Sequence, residues 1–436
     1  MAFIRLMEYE WSDNPHEVDY YLPDSWDVTV YHIAGYQKPV LTPEQIVASI
    51  VSPIGTSRIR DLAKGKKKVC ILFDDMSRGT PTYKVVPAVL AELKAGGIKD
   101  DQIEFICALG AHQAWDRSAL ARKVGADIVE KYPVYNHVPF MNCTPLGKTS
   151  FGTKVEVSAE VMSCDLKVSI QNIVPHPSYG FGGGGKIVMP GCSSYDSIAD
   201  HHGMIHKAFR ETLRITPDSK GVKGLFDGNP LARDAMEFAK MAKIDFSINC
   251  MLNEKADIVT IFAGDIEKAY EPAVAAAKEH YRIPDTRDND IAIANAYNKT
   301  DEAYIAMLSS FIAVKRTGGS SVTIANCHLG QVVHYLASSW GMSTGGRMWS
   351  KTSIPAWINH CVFYSEFTEA RNRSLWQDKD LNKVLLSKSW TEVVSKLIEW
   401  HGLKAKVAIF PDGTSQYTQQ PEQEQTQAVV KAGSRT

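Results

Sequence analysis

The chain has 436 residues, 44% of them hydrophobic, and a formal net charge of −1. That length exceeds what a single core usually fills, so two domains are expected. The near-neutral charge argues against a protein held to nucleic acid or a membrane surface by bulk electrostatics, and points instead to a small-molecule partner.

No stretch approaches the roughly 18 apolar residues of a membrane helix. The opening MAFIRLMEYEWSDNPHE has no apolar signal region, so a cytoplasmic location is expected. The eight cysteines stand singly, without a CxxC pair, as small core hydrophobes of a reducing compartment do. From about residue 66 the pattern alternates between strand and helix. KKVCILF (67–73) reads as a strand. PTYKVVPAVLAELKAGG (81–97) is helical in period despite Pro87 and ends in a glycine cap. IEFICAL (103–109) is the next strand, and DRSALARKVG (116–125) the next helix, with Asp116 as its N-cap. DLKVSIQNIV (165–174) is a third strand, and ADIVTIFAG (256–264) followed by DIEKAYEPAVAAAKEHY (265–281) repeats the unit. The polar, proline-bearing RIPDTRDND (282–290) is the best interior boundary. Beyond it IAIANAY, SSVTIANC and KVAIFPD are strands among the helices EAYIAMLSSFIAVKR (302–316) and WTEVVSKLIEWHG (390–402). The expected fold class is α/β, with parallel or mixed sheets in two domains. Residues 1–284 form the first, carrying the site, 285–412 a smaller second, and 413–436 a flexible tail.

Open α/β sheets bind ligands at the carboxyl ends of their strands. Three first-domain strands end in chemically useful residues: Asp74, Asp75 and Arg78 after CILF, His112 after FICALG, and His176 and Lys186 after SIQNIV. Any one of them could be structural, but their shared edge favours one site. In PHPSYGFGGGGKIVMPG (175–191), Gly180 to Lys186 meets the glycine and lysine part of a phosphate-binding P-loop. Ile187 stands where that loop needs Ser or Thr, and Pro190-Gly191 would stop its helix. Four consecutive glycines still carry an entropic cost, accepted where backbone approaches a ligand or takes positive φ; a flexible surface loop is the bland alternative. In SYDSIADHHGMIH (194–206), His202 and His206 share a helix face, and imidazole suits Ni, Zn, Cu and Fe. Asp200-His201-His202 also resembles the DHH phosphoesterases, whose other aspartate motifs are not evident.

Taken together, DDMSRGTPT, GAH at 110–112, HPSYGFGGGGKIVMPG at 176–191 and HHG at 201–203 resemble the nickel-pincer lactate racemase family, in that family's order. The resemblance implies two α/β domains with an active-site cleft between them. It also implies a nickel pincer nucleotide, a pyridinium mononucleotide with sulfur and carbon donors around the metal, loaded with the help of cofactor-biosynthesis proteins. Residue by residue, it implies Asp75 and Arg78 beside cofactor and substrate, with Arg78 holding the substrate carboxylate, and His112 and His176 as two bases. Lys186 would hold the cofactor, covalently through a thioamide in the family's founding enzyme, and Gly182, Gly183 and Gly184 would cradle it. His202, rather than His201 or His206, stands at the position of the nickel ligand. The family's Tyr-Gln-x-x-Lys stretch is best matched from Tyr304, which would contact the cofactor, with Ile305 and Leu308 in place of the polar pair. The function so implied is a racemase or epimerase that inverts the carbinol carbon of a 2-hydroxy acid other than lactate, by hydride transfer with two histidine bases. Two other classes compete: a Zn or Mn hydrolase or phosphoesterase built on His176, His202 and His206, and a metabolite sensor that needs the glycine loop but not both His112 and His176.

Overall fold

The computed structural model describes residues 2–8, 11, 16–205, 215–332, 334, 353–367 and 376–418. Two six-stranded sheets organise them. The first runs in the order Ile258–Gly264, Phe246–Leu252, Leu166–Asn172, Val69–Asp74, Ile103–Ala108, Val134–Asn136. All neighbours are parallel except the first pair. Its central strand, VCILFD, is buried at every position, as a parallel sheet covered on both faces requires. The Thr82–Ala95 helix follows that strand and contains Pro87, and the Arg117–Val124 helix starts where Asp116 accepts the Ala119 N–H at 2.8 Å. Phe246–Leu252 was not foreseen from the sequence. Only a five-residue turn joins it to Ile258–Gly264, in which the Asn253 side chain accepts the N–H groups of Lys255 and Asp257 at 2.9 Å. So short a connection makes a hairpin, and the edge pair is antiparallel.

The second sheet runs Val384–Ser387, Ile358–Tyr364, Gly319–Ile324, Ile291–Asn295, Lys406–Phe410, Asp27–Val30, all parallel. Its last strand corrects the expectation that residues 1–284 belong together. Asp27–Val30 pairs with Lys406–Phe410, and Leu6, Tyr20, Leu22 and Trp26 share one apolar cluster with Ile291, Val322, Val362 and Val407. Burying those side chains holds the beginning of the chain against the second sheet. The expected tail also needs correction at its start. Tyr417–Thr418 forms a short parallel ladder with Arg282–Ile283, and residues 413–418 are buried. Residues 419–436 of that tail lie outside the described residues. Among the described residues no helix is long and apolar enough to cross a membrane.

Candidate active site

The first sheet's central strand ends at Asp74, and the next turn distributes its polar residues between support and site. Asp74 is support: it accepts from Thr80 Oγ1 at 2.6 Å and from the Asn172 N–H at 3.0 Å, and meets Lys123 Nζ at 2.8 Å. That ties together the ends of two adjacent strands. Asp75 turns the other way. Its Oδ1 accepts the Ser77 N–H at 3.1 Å, and its Oδ2 lies 2.7 Å from His112 Nδ1 and 3.4 Å from the indole N–H of Trp115. Burial alone would raise the Asp75 carboxyl, but the charges of His112, Arg78 and Lys123 hold it at about 2. It is therefore an anion at neutral pH, and the His112 proton sits on Nδ1, facing it. Nε2 of His112 is left with the lone pair. Burial would lower the His112 pKa; Asp75, and then Glu302, raise it.

Arg78 leaves the same turn and reaches a residue the sequence reading did not foresee. Its Nη1 is 2.7 Å from Glu302 Oε2, while Glu302 Oε1 is 3.6 Å from His112 Nε2. Next to it Asp301 accepts from Ser77 Oγ at 3.0 Å. Burial and then the neighbouring Glu302 and Asp75 push Asp301 up to about 8; Arg78 and His112 overcome the burial of Glu302 and bring it to about 2. One carboxyl is a proton carrier at neutral pH and its neighbour an anion, a separation that environment alone produces. Both stand on the Tyr297–Glu302 turn, which follows the Ile291–Asn295 strand of the second sheet. His334 adds a ring 5.2 Å from that of His112.

His176 follows the Leu166–Asn172 strand. Its Nδ1 accepts the backbone N–H groups of Ser178 at 3.0 Å and Tyr179 at 3.3 Å, which places the proton of the neutral ring on Nε2. Burial, then Lys186, Lys299, Arg78 and His202, lower its pKa well below the ordinary value. The two histidines are thus set in opposite senses: His112 presents a lone pair, His176 an N–H.

The glycine run serves the protein's own packing more than open space. Gly184 takes φ +55°, its N–H bonds to Asn249 Oδ1 at 3.0 Å, and a Cβ there would stand 2.7 Å from the Tyr270 ring. At Gly185 a Cβ would meet the Ala235 carbonyl oxygen at 2.3 Å, whereas at Gly182 the nearest atom is 3.6 Å away. A side chain is therefore excluded by the protein's own packing at Gly184 and Gly185, and at Gly183, where a Cβ would lie 2.9 Å from Asn249 Oδ1. They let the loop fold tightly enough to carry Lys186 at the Gly184–Ile187 turn. Lys186 Nζ lies 3.4 Å from the centre of the Tyr179 ring, and burial, then Arg78 and Lys299, depress its pKa strongly. Tyr179, quoted in the motif but not singled out, is the hub of this region: its hydroxyl is 2.8 Å from His201 Nε2, and its ring also contacts those of His176 and His202.

The adjacent histidines separate cleanly. His201 Nδ1 meets Asp234 Oδ2 at 2.5 Å and both are fully buried, so His201 is a structural link. His202 Nδ1 donates to the Ile198 carbonyl at 3.0 Å, which leaves Nε2 as the lone-pair nitrogen that a metal ligand needs. His206 lies outside the described residues, and among those described no group of three or more His, Cys, Asp or Glu could hold a metal by itself.

Tyr304 opens the Tyr304–Ala313 helix and packs with Val222, Leu308 and Ile312. Ile305 and Leu308 are buried core residues, so their apolar character reflects helix packing and carries no information about the substrate. The second sheet's polar contribution comes instead from Lys299, Asp301 and Glu302. Lys299 is 2% exposed, its Nζ has no hydrogen-bond partner among the described residues, and burial together with Arg78 lowers its pKa to about 8.

Residues 14–212 match the family model described as the lactate racemase N-terminal domain. A lactate racemase of Lactiplantibacillus plantarum is 27% identical over 413 residues, spanning 88% of this chain and 92% of that protein. A lactate racemase of Thermoanaerobacterium thermosaccharolyticum is 31% identical over 242 residues, 54% of each chain. Among solved structures, the lactate racemase apoprotein of the latter organism aligns with a TM-score of 0.71 at 22% identity, covering 96% of this chain and 100% of that one. A Thermotoga maritima protein aligns with a TM-score of 0.63 at 17% identity, over 88% of this chain and 99% of that one. These two likenesses establish the common fold.

Proposed function

We propose that this chain, whose residues 14–212 match the lactate racemase N-terminal domain and which aligns with a lactate racemase over 88% of its length, is a racemase or epimerase that inverts the carbinol carbon of a 2-hydroxy acid with a nickel pincer nucleotide. The reading places the reaction in a cleft between two α/β domains, where Arg78 and His112 from one side face Glu302 from the other. The observation that carries it is the pair of histidines held in opposite tautomeric senses at one sheet edge.

The residues fit the cofactor. Lys186 is depressed by burial and then by the charges of Arg78 and Lys299, and such a cluster of cations calls for anionic groups. His202 offers a single lone-pair nitrogen, which suits a metal that arrives with its own sulfur and carbon donors. Lys186 and His202 would hold the nucleotide. When bound, the group supplies a hydride acceptor, which no side chain can. The protein's part is proton handling and orientation. His112 Nε2 takes the substrate's hydroxyl proton, with Asp75 fixing the ring and stabilising the imidazolium. His176 Nε2–H donates a hydrogen bond to the substrate oxygen and keeps its proton, and the proton taken up by His112 returns to that oxygen when the hydrogen returns to carbon. Cofactor-biosynthesis proteins are the partners this reading requires.

A hydrolase built on His176, His202 and His206 has less support, because His176 Nδ1 accepts from two backbone N–H groups and its Nε2 carries the proton, which leaves that ring no lone pair for a metal. Protein produced together with the cofactor-making enzymes should contain about one nickel per chain and erode the enantiomeric purity of a 2-hydroxy acid. His202→Ala should keep the fold, by circular dichroism, and lose both nickel and activity, while His201→Ala should lose stability. Full nickel retention in His202→Ala would contradict the assignment.

A further inference from the structure

Glu302 stands where a substrate is expected. Its two carboxylate oxygens lie 2.7 Å from Arg78 Nη1 and 3.6 Å from His112 Nε2. Those are the atoms that would receive the carboxylate and the hydroxyl of a simple 2-hydroxy acid. The Glu302 and Arg78 side chains are only 16% and 15% exposed, so solvent screens them little. A second carboxylate brought to Arg78 meets a like charge at close range, which is the strongest form of discrimination against an anion. A hydroxyl meets no such penalty. It donates to Glu302 and accepts from the guanidinium, whose donors outnumber its partners there. Three residues earlier on the same turn, Lys299 is 2% exposed with no hydrogen-bond partner at Nζ among the described residues, and is the cation left to meet a substrate carboxylate.

We infer that Glu302 is a specificity-determining residue, which selects a 2-hydroxy acid bearing a further hydroxyl on the carbon next to the reacting one and disfavours acids whose neighbouring carbon is bare. The substrate class is then a polyhydroxylated, sugar-type acid. This inference rests on the racemase reading above and adds to it a contact that the reaction itself does not need. A site built to hydrogen-bond a hydroxyl rejects the analogue lacking it, because the site's own polar groups are left unmatched.

Glycerate and lactate differ by that one hydroxyl. Holoprotein, as wild type, Glu302→Gln and Glu302→Ala, is titrated calorimetrically with each acid, and kcat/KM for inversion is measured alongside. The wild type should favour glycerate over lactate by at least about tenfold. Both variants should reduce that ratio by about tenfold or more, with lactate binding improving once the competing charge is gone. A ratio unchanged in both variants would overturn the inference, including the case where both acids bind better by the same factor, since that is the signature of a side chain that merely blocks the site. Absence of binding and inversion of either acid in all three proteins would instead overturn the hydroxy-acid reading. Glu302→Gln keeps size and shape, and thermal melting of each variant separates loss of fold from loss of selectivity.

Discussion

Asp75 decides which nitrogen of His112 carries the proton. The carboxylate at 2.7 Å from Nδ1 holds the proton there and turns Nε2 outward, and its charge, with that of Glu302, raises the His112 pKa from the ordinary 6.5. Only the neutral ring accepts a proton. The rate of inversion should therefore climb with pH along a limb lying above about 6.5, the unperturbed imidazole value. Asp75→Asn removes the largest raising influence while burial and Arg78 go on lowering the pKa, so the limb should move to lower pH. The maximal rate should also fall, by roughly 10²- to 10⁴-fold, as the ring loses its orienting partner. Initial rates across pH for both proteins check this; a limb that stays in place would mean that His112 is not the group being titrated. Glu302 shows what was legible at this scale and what was overlooked. The rule that ligands gather beyond the carboxyl ends of strands found Asp75, His112 and His176. Applied to IAIAN in the second half it would equally have pointed to YNKTDE, where Lys299, Asp301 and Glu302 stand. The match to a family stretch drew attention instead to Tyr304, Ile305 and Leu308, which helix packing claims.

The glycine loop is the element on which the site hangs. Gly184 has φ +55° and no room for a methyl group against Tyr270, a ring that is itself 5% exposed and tied by its hydroxyl to the Phe181 carbonyl at 3.2 Å. Gly184→Ala should cost about 1–3 kcal/mol, from the left-handed backbone and the overpacking together. It should also displace Lys186, two residues on. Denaturation midpoints and nickel content would show both effects. A variant as stable as the wild type would return the loop to a flexible surface segment, the reading the sequence alone left open. Local signals served well elsewhere, since caps such as Asp116 and the apolar runs of the first sheet are read within a few residues. The Phe246–Leu252 strand was missed because its neighbours Asp245 and Lys243 interrupt the apolar pattern, and nothing local indicates that the next strand returns antiparallel.

For the whole molecule, the least legible feature was how distant segments share one sheet. Asp27–Val30 lies beside Lys406–Phe410, and Arg282–Ile283 beside Tyr417–Thr418; such pairings depend on burial across hundreds of residues and leave no mark in local periodicity. They bring the carboxyl-end turns of both sheets into contact through Arg78, Ser77 and His112 on one side and Asp301 and Glu302 on the other. That arrangement is the basis for the central claim, inversion by hydride removal with histidines moving the hydroxyl proton. Its most direct test is incubation of nickel-loaded protein with one enantiomer of a 2-hydroxy acid in D₂O, followed by chiral separation and mass measurement of each enantiomer. The account predicts that the opposite enantiomer appears with its original hydrogen still on the carbinol carbon. Inversion accompanied by stoichiometric deuterium at that carbon would contradict it, and would make the histidines carbon bases instead.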